Sequence, residues 1–320
     1  MPAVNRTIES VSGFFIAIYK PVNMTSRQVV NHFQKIAGRK FKVGHVGTLD
    51  PFAEGMLLLA FGKATKLADH VHRLCSKTYL AQGSFSNSTF SGDLTGDTNL
   101  FSSIELLNEL NSEKIQHVGN SFIGEYWQRP HAFSACKKDG VPLYAYARDG
   151  VYIEKDPVLR HVYTLAILQW DCPHVTYRVK VGSGVYIRVL MEDLATKLSC
   201  YAHLIRLQRE SIGELLVKDC LMPENWPNSY DEFCVRLKDY ALAPDMVIPL
   251  PSIQLSAFDS KLVNNGQTIE RDYFAPAHVP ENLGQSTLGW AWAMDENARL
   301  IGLASLQDEK HLKIAVHISK

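Results

Sequence analysis

The stretch Lys42 to Lys66, KVGHVGTLDPFAEGMLLLAFGKATK, constrains the chain more than any other. Its first half, Gly44-His45-Val46-Gly47-Thr48-Leu49-Asp50-Pro51, is polar and turn-rich. Two glycines allow positive φ or the close approach of another backbone. Pro51 fixes its own φ and biases Asp50 toward extended geometry. Met56 to Phe61 is short, continuous and apolar between Gly55 and Gly62, which predicts a buried strand. One carboxylate, Asp50, therefore stands on a constrained loop just before a core strand, with His45 five residues upstream. Asp is also a common turn residue, so a purely structural cap is the plain alternative.

GHVGTLDPFAEGMLLLAFGKATK resembles the active-site stretch of the bacterial tRNA pseudouridine synthase family called TruB, usually G-H-x-G-x-L-D-P-x-A-x-G-x-L followed by G-x-A-T-K. Other segments match the family in order. Lys20-Pro21-Val22-Asn23-Met24-Thr25-Ser26 resembles its K-P-x-x-x-T-S motif, whose lysine and proline shape the active-site floor. Ser76 to Leu80 is similar to K-x-Y, which would place Tyr79 in the catalytic pocket; a strand tyrosine is otherwise usually a core residue with a satisfied hydroxyl. Thr89, Ser91, Asp93 and Gly96 keep step with a G-x-x-T-x-T-x-D-x-x-G segment, with Ser86 at the first glycine.

Phe122 to Lys137 resembles F-x-G-x-x-x-Q-x-P-P-x-Y-S-A-x-K, with His131 for a proline and Phe133 for the tyrosine, and Leu143 to Arg148 continues it. In the family this region is a mobile thumb over the RNA loop. Aromatics interleaved with Lys137, Lys138 and Arg148 suit stacking and phosphate contact; a helical hairpin packed on the sheet is the alternative. Gly184, Tyr186, Ile187 and Arg188 match C-S-x-G-T-Y-I-R, while Val181, Gly182 and Val185 depart from it. An arginine at a helix start is poorly placed for the macrodipole and should have a carboxylate partner. Ala202 to Arg209 resembles A-H-L-x-x-L-R-R, with Gln208 for one arginine.

Local patterns predict a strand over Gly13 to Tyr19 and a helix capped at Thr25 or Ser26, with Val29, Val30, Phe33 and Ile36 facing the core and Gly38 as its stop. They predict helices over Ala64 to Leu74 and Ser102 to Val118, and a hairpin over Val162 to Val181 followed by a helix through Leu198. Asn225 to Leu237 reads as loop-like and then acidic. Residues 252–320 carry turn signals at Asn264-Asn265-Gly266, Asp295-Glu296-Asn297 and Gln307-Asp308-Glu309 between short strands such as LIGLASL and LKIAVHI.

The resemblance thus implies an α+β pseudouridine synthase fold, a mixed but mostly antiparallel central sheet flanked by helices. A small β-rich, PUA-like RNA-binding domain would follow. Expected boundaries are 1–247, with a thumb-like insertion near 121–152, and 248–320.

Of 320 residues, 46% are hydrophobic and 21% charged, ordinary for a globular chain with a real core. No apolar run reaches the roughly 18 residues a membrane span needs, and MPAVNRTIES lacks the pattern of a secretory signal. Six scattered cysteines without a C-x-x-C pair argue for reduced thiols in a cytoplasmic protein and against a zinc site or disulfide framework. The 33 basic and 33 acidic residues cancel. Basic residues nevertheless cluster, as Lys35, Arg39, Lys40 and Lys42 before the central stretch and Lys63, Lys66, Arg73 and Lys77 after it. Clustering, not the total, governs attraction to a phosphate backbone, though such runs are often only solvated faces.

The implied reaction isomerises uridine to pseudouridine in RNA: the base is detached at nitrogen, rotated and rejoined through carbon. It calls for no metal or cofactor, and the chain has no G-x-G-x-x-G or P-loop. The expected catalytic set is Asp50, Tyr79 and Arg188. Asp50 would be the nucleophile, at a reference pKa of about 3.9, held charged by the Arg188 guanidinium against the effect of burial. Tyr79 would lie against the base. His45, Lys20, Lys66, Lys137, Arg148, His203 and Arg209 are the expected RNA contacts. The implied substrate is the T-loop uridine of tRNA usually numbered 55, extruded from its loop, with neither guide RNA nor protein partner and with the enzyme as a monomer. An RNA-binding protein that has lost turnover, and a guide-dependent relative, are the alternatives.

Overall fold

The structure is a computed structural model that describes residues 12–134, 136–270, 289–306 and 310–319. The N-terminal MPAVNRTIES, Ala135 and the expected turn at Gln307-Asp308-Glu309 lie outside the described residues. The chain divides into two compact units: Met1–Asp50, Gly55–Cys75 and Ile212–Lys320 form the first, Pro51–Glu54 and Ser76–Ser211 the second.

In the first unit, strand Gly13–Lys20 pairs antiparallel with strand Glu54–Gly62, from Gly13 opposite Gly62 to Lys20 opposite Gly55. Their continuous apolar runs reflect burial on both faces: Phe15, Ile16, Ile18 and Met56 through Phe61 have essentially no exposure. The short strand Val43–Val46 pairs with the same Glu54–Gly62 strand, placing Val46 opposite Leu58.

Helix Ser26–Ala37 starts at Thr25 in a complete capping box with Gln28 and ends at Gly38, whose φ of 62° is costly for any residue with a Cβ. Val29, Val30 and Phe33 are buried as their spacing predicts, but Ala37 rather than Ile36 completes the buried face. The helix expected over Ala64 to Leu74 divides into a 3-10 turn, Lys63–Leu67, and a helix, Ala68–Leu74. The Thr65 hydroxyl donates back to the Gly62 carbonyl at 2.8 Å, a local bond that competes with regular helix. The segment read as loop-like holds a helix instead, Tyr230–Tyr240. Ser229 caps it, and Phe233, its one fully buried residue, packs 5.4 Å from Phe61. Sparse apolar residues hid it: one anchor on an aromatic cluster is enough.

The C-terminal module is a five-stranded sheet in the order Ser252–Gln254, Trp290–Met294, Leu300–Leu306, His311–His317, Ile269–Glu270, with helix Ala257–Asn264. It agrees with the β-rich, PUA-like domain expected there. Alternation sends Trp292, Leu303 and Val316 into one core with Phe15, Met56 and Leu58, and Ala293, Ile301 and Leu312 into another with Leu255 and Val263. The Trp292 indole donates to the Ile248 carbonyl at 2.8 Å, satisfying the polar end of a buried ring.

The second unit is built on a sheet in the order His203–Ile212, Lys77–Ser84, His174–Val181, Val158–Asp171, Gly124–Gln128. The predicted hairpin is present, with Asp171 opposite His174, and Gly124–Gln128 is its antiparallel edge strand, Trp127 opposite Leu159. Helix Ile187–Lys197 buries Ile187, Leu190, Met191 and Leu194. The single helix expected over Ser102 to Val118 is two, Ile104–Asn108 and Ser112–Asn120. The Asn111 side chain accepts from the Lys114 N–H at 2.8 Å, so a strong N-cap restarts the helix in mid-pattern. Among its described residues the region expected as a thumb holds no helical hairpin: after the edge strand come a two-residue β-ribbon, Lys137–Lys138 with Val141–Pro142, and the short helix Leu143–Arg148.

Candidate active site

In the first unit the loop that presents Asp50 is tied at both ends. His45 and Val46 are registered opposite Leu59 and Leu58. The Leu49 N–H donates to Ser26 Oγ, and Ser26 Oγ donates to the Leu49 carbonyl, both at 2.9 Å. Leu49 is buried, Asp50 half-buried and Thr48 exposed, so the loop is anchored at Leu49 and rises toward the surface on either side of it. His45 Nε2 lies 3.0 Å from Thr48 Oγ1. Lys66 is exposed.

Lys20 is the exception in this unit. It is fully buried, and its ammonium donates to the carbonyls of Pro21 at 2.8 Å and Met24 at 2.7 Å. It closes its own turn, and the direct RNA contact expected of it does not fit that burial. The basic cluster is similarly committed in part. Lys40 sits 4.1 Å over the Tyr230 ring, and Lys63 donates to the Ser319 carbonyl at 2.5 Å. Lys77, in the second unit, is buried.

Tyr79 and Arg188 belong to the second unit, whereas Asp50 belongs to the first. Tyr79 is opposite Val179 in the sheet and 9% exposed. Arg188 stands in the first turn of helix Ile187–Lys197 and is buried. Its guanidinium donates to the Ser91 carbonyl at 2.6 Å and the Phe133 carbonyl at 3.0 Å, and lies 3.5 Å from Asp93 Oδ2. The carboxylate that the arginine's position calls for is thus supplied in part by Asp93. That aspartate is held by its own loop: Oδ1 accepts from Ser91 Oγ and the Thr95 N–H, both at 2.9 Å, and the Thr89 hydroxyl donates to its carbonyl at 2.7 Å. The T-x-S-x-D spacing is therefore the spacing of an Asx-type turn that aims a backbone carbonyl at a guanidinium. Between Ser91 and Asp93, Gly92 has φ +70°, and a Cβ there would fall 2.8 Å from Glu192 Oε1. Ser86 needs no positive φ, and its hydroxyl bonds Ser84 and Asn87 at 2.8 Å each, so serine fits where the family has glycine.

Around this pair lies a group of largely enclosed polar side chains whose convergence the sequence did not show. Burial pushes the Glu192 carboxyl up to about 7, against the pull of Arg188. Burial, helped by the same guanidinium, pushes His131 down to about 4. Their 3.9 Å approach is therefore a meeting of two groups each driven toward neutrality, not an ordinary ion pair. His131 Nδ1 accepts from the Phe133 N–H at 3.0 Å, which leaves the proton on Nε2. Asp193 is raised by burial and accepts from the Tyr126 hydroxyl. The spacing Arg188 to Glu192, four residues along one helix, was the available signal for this cluster.

Of the remaining expected RNA contacts, Lys137 and Arg148 are exposed, Arg148 lying over the Tyr144 ring at 5.4 Å. His203 Nδ1 lies 2.8 Å from the Asn87 carbonyl. Arg209 is 1% exposed, too enclosed for the direct phosphate contact expected of it. The rings of Phe133, Tyr152 and Phe90 form a chain with centroids 6.3–6.4 Å apart. Among the described residues no three or more His, Cys, Asp or Glu side chains are grouped as a metal site. No helix there is long and apolar enough to cross a membrane. The cysteines are free thiols, three of them buried.

Residues 34–187 match the family model described as TruB family pseudouridylate synthase, N-terminal domain. The protein of Geotalea uraniireducens (strain Rf4) named tRNA pseudouridine synthase B is 34% identical over 244 residues, 75% of this chain and 73% of its own length. The like-named protein of Caldanaerobacter subterraneus subsp. tengcongensis is 35% identical over 266 residues, 82% of this chain and 88% of that one. That of Cupriavidus metallidurans is 32% identical over 298 residues, 90% and 89% of the two chains. Among solved structures, an H/ACA RNP bound to a substrate RNA containing 2'-deoxyuridine superposes with a TM-score of 0.65 at 21% identity, covering 96% of this chain and 84% of the other. An archaeal box H/ACA sRNP Nop10–Cbf5 complex gives 0.66 at 20% identity, covering 98% and 88%. Those two likenesses establish the fold, and the relatives at 32–35% identity establish the kinship. The chain belongs to the TruB family of pseudouridine synthases.

Proposed function

We propose that this protein isomerises the T-loop uridine of tRNA, at the position usually numbered 55, to pseudouridine, with Asp50 as the nucleophile and without a guide RNA or a protein partner. The observation that carries this reading is identity of 32–35% to proteins named tRNA pseudouridine synthase B across 75–90% of the chain, with the Asp50 loop intact. The reaction needs an ionised carboxylate near the ribose, a surface for the detached base and a proton relay. Asp50 provides the first, on a loop whose anchoring to Ser26 limits its motion. Tyr79 provides the second and can pass a proton. Arg188 keeps the site cationic enough for a carboxylate to stay charged under a flipped base. Extruding that base costs a few kcal/mol, which stacking and phosphate contacts must offset. The exposed Lys66, Lys137 and Arg148, with His45 and His203, are the side chains assigned to those contacts. Residues 1–247 would act as the catalytic domain, with 121–152 as a thumb, and 248–320 as a PUA-like RNA-binding domain. The enzyme would work as a cytoplasmic monomer.

The test is direct. Unmodified tRNA is incubated with the purified chain, pseudouridine is derivatised chemically, and its position is mapped. Product at the T-loop from protein and tRNA alone is expected. Binding without product, or product only when a guide is added, refutes the proposal. Asp50→Asn should abolish turnover and leave tRNA affinity largely intact; turnover near wild type in that variant would remove Asp50 from the nucleophile's role.

A further inference from the structure

The edge strand Gly124–Gln128 ends in a glutamine that is 1% exposed. Both ends of its amide are spent on one distant residue. The Tyr186 N–H donates to Gln128 Oε1 at 2.8 Å, and Gln128 Nε2 donates to the Tyr186 carbonyl at 3.0 Å. Tyr186 is the N-cap of helix Ile187–Lys197 and is extended, with φ −90° and ψ 112°. In extended backbone the N–H and C=O of one residue point the same way, so a single partner can bond both, as in a hydrogen-bonded strand pair. The Gln128 amide takes the place of that partner strand.

The same Tyr186 carbonyl accepts the first intrahelical bond, from the Leu190 N–H at 3.1 Å. One side chain therefore holds the last extended residue and the first turn of the helix together, at an N-terminus where the N-cap side chain makes no capping bond to the helix's own N–H groups. Two residues on stands Arg188. Gln128 Nε2 also reaches the Tyr126 hydroxyl at 3.2 Å, and that hydroxyl donates to Asp193 on the same helix. Phe133, five residues after Gln128, presents its carbonyl to Arg188. The segment Tyr126–Phe133 thus grips the helix end from one side at several levels.

We infer that Gln128 is a positioning residue for Arg188: its amide sets the height and rotation of the helix's first turn and thereby the place of the guanidinium. This rests on the reading of Arg188 as part of the catalytic machinery. The chemistry is specific to a carboxamide of this length. Alanine removes both bonds. An ionised glutamate accepts from the Tyr186 N–H but cannot donate to its carbonyl, whereas a protonated carboxyl can do both.

The experiment measures single-turnover rate and tRNA affinity of the full chain for Gln128→Ala, Gln128→Glu, Arg188→Lys and the double variant Gln128→Ala/Arg188→Lys. Displacing a catalytic group by about 1 Å costs on the order of 100-fold, so Gln128→Ala should lose about 10–100-fold in rate with affinity held within about two-fold. In the Arg188→Lys background the same change should add no more than about two-fold, because it acts through the guanidinium. The rate of Gln128→Glu, relative to wild type, should recover as pH is lowered and the new carboxyl takes up a proton. If Gln128→Ala does not fold, Gln128→Glu, which matches the native side chain in size, carries the same comparison. An unchanged rate in the folded variant, or an equal loss in both backgrounds, overturns the inference while leaving Arg188 in place. A wild-type rate in Arg188→Lys overturns the role of Arg188 itself, and with it anything that positions it.

Discussion

Replacing Glu192 with glutamine should stabilise the protein at pH 8 and do little at pH 5. Burial moves this carboxyl from its usual 4.5 to about 7, even with Arg188 beside it. Between those values the unfolded chain has released a proton that the folded protein still holds. Folding stability from this group is therefore full below about 4.5 and is lost as pH rises through 7. At about 1.4 kcal/mol for each tenfold in proton affinity, the full effect is on the order of 3 kcal/mol. The side chain keeps 28% of its exposure, and solvent screening reduces the expected gain to about 1–2 kcal/mol.

His131 works in the opposite direction. Its folded value is about 4 against a usual 6.5, so between these the unfolded chain binds more protons and stability rises with pH. In the wild type the two slopes offset one another from about pH 4.5 to 6.5. Glu192→Gln leaves the rising slope alone. The charged groups facing the pair are Arg188, Asp93 and Asp193. Urea unfolding of wild type and variant at a series of fixed pH values gives the difference in stability directly. Any constant cost of the amide cancels from its pH dependence. A difference that stays flat from pH 5 to 8, or one that favours the wild type as pH rises, would refute a raised Glu192.

Two further substitutions test the frame of the site. Lys20→Met removes a buried ammonium that two carbonyls accept, and should lower unfolding stability by about 1–3 kcal/mol, read as a fall in the urea midpoint. A neutral outcome would mean that the turn does not depend on Lys20. Gly184→Ala places a Cβ at φ +75°, with the Arg160 guanidinium carbon 2.8 Å away. The long Arg160 side chain can move aside, so the expected cost is only the backbone term of about 1–2 kcal/mol, measured by thermal unfolding. A cost several times larger would show that Arg160 is held in place.

Local chemistry was legible wherever the fold keeps it local. The cap at Thr25 or Ser26, the Gly38 stop, the Met56–Phe61 strand and the Val162–Val181 hairpin each follow from a short window of sequence. They fail where a single side chain outbids the pattern, as Asn111 does by restarting a helix and Thr65 by tightening one. They fail too where one contact replaces periodicity, as Phe233 does for the Tyr230–Tyr240 helix. Motif spacing placed Asp50, Tyr79 and Arg188 among the candidates. It did not distinguish lysines on the surface from lysines inside, because burial is a property of neighbours brought from elsewhere in the chain.

By itself, then, the sequence determined the family, several of the strands and helices and the loop that carries Asp50, all written in residues close together along the chain. Tertiary structure alone decided that Ser91, Asp93 and Phe133 converge on Arg188, that Gln128 caps a helix 58 residues away, and that Glu192 and His131 are held near neutrality. Those outcomes depend on distance and desolvation between segments far apart in sequence, which no local pattern encodes.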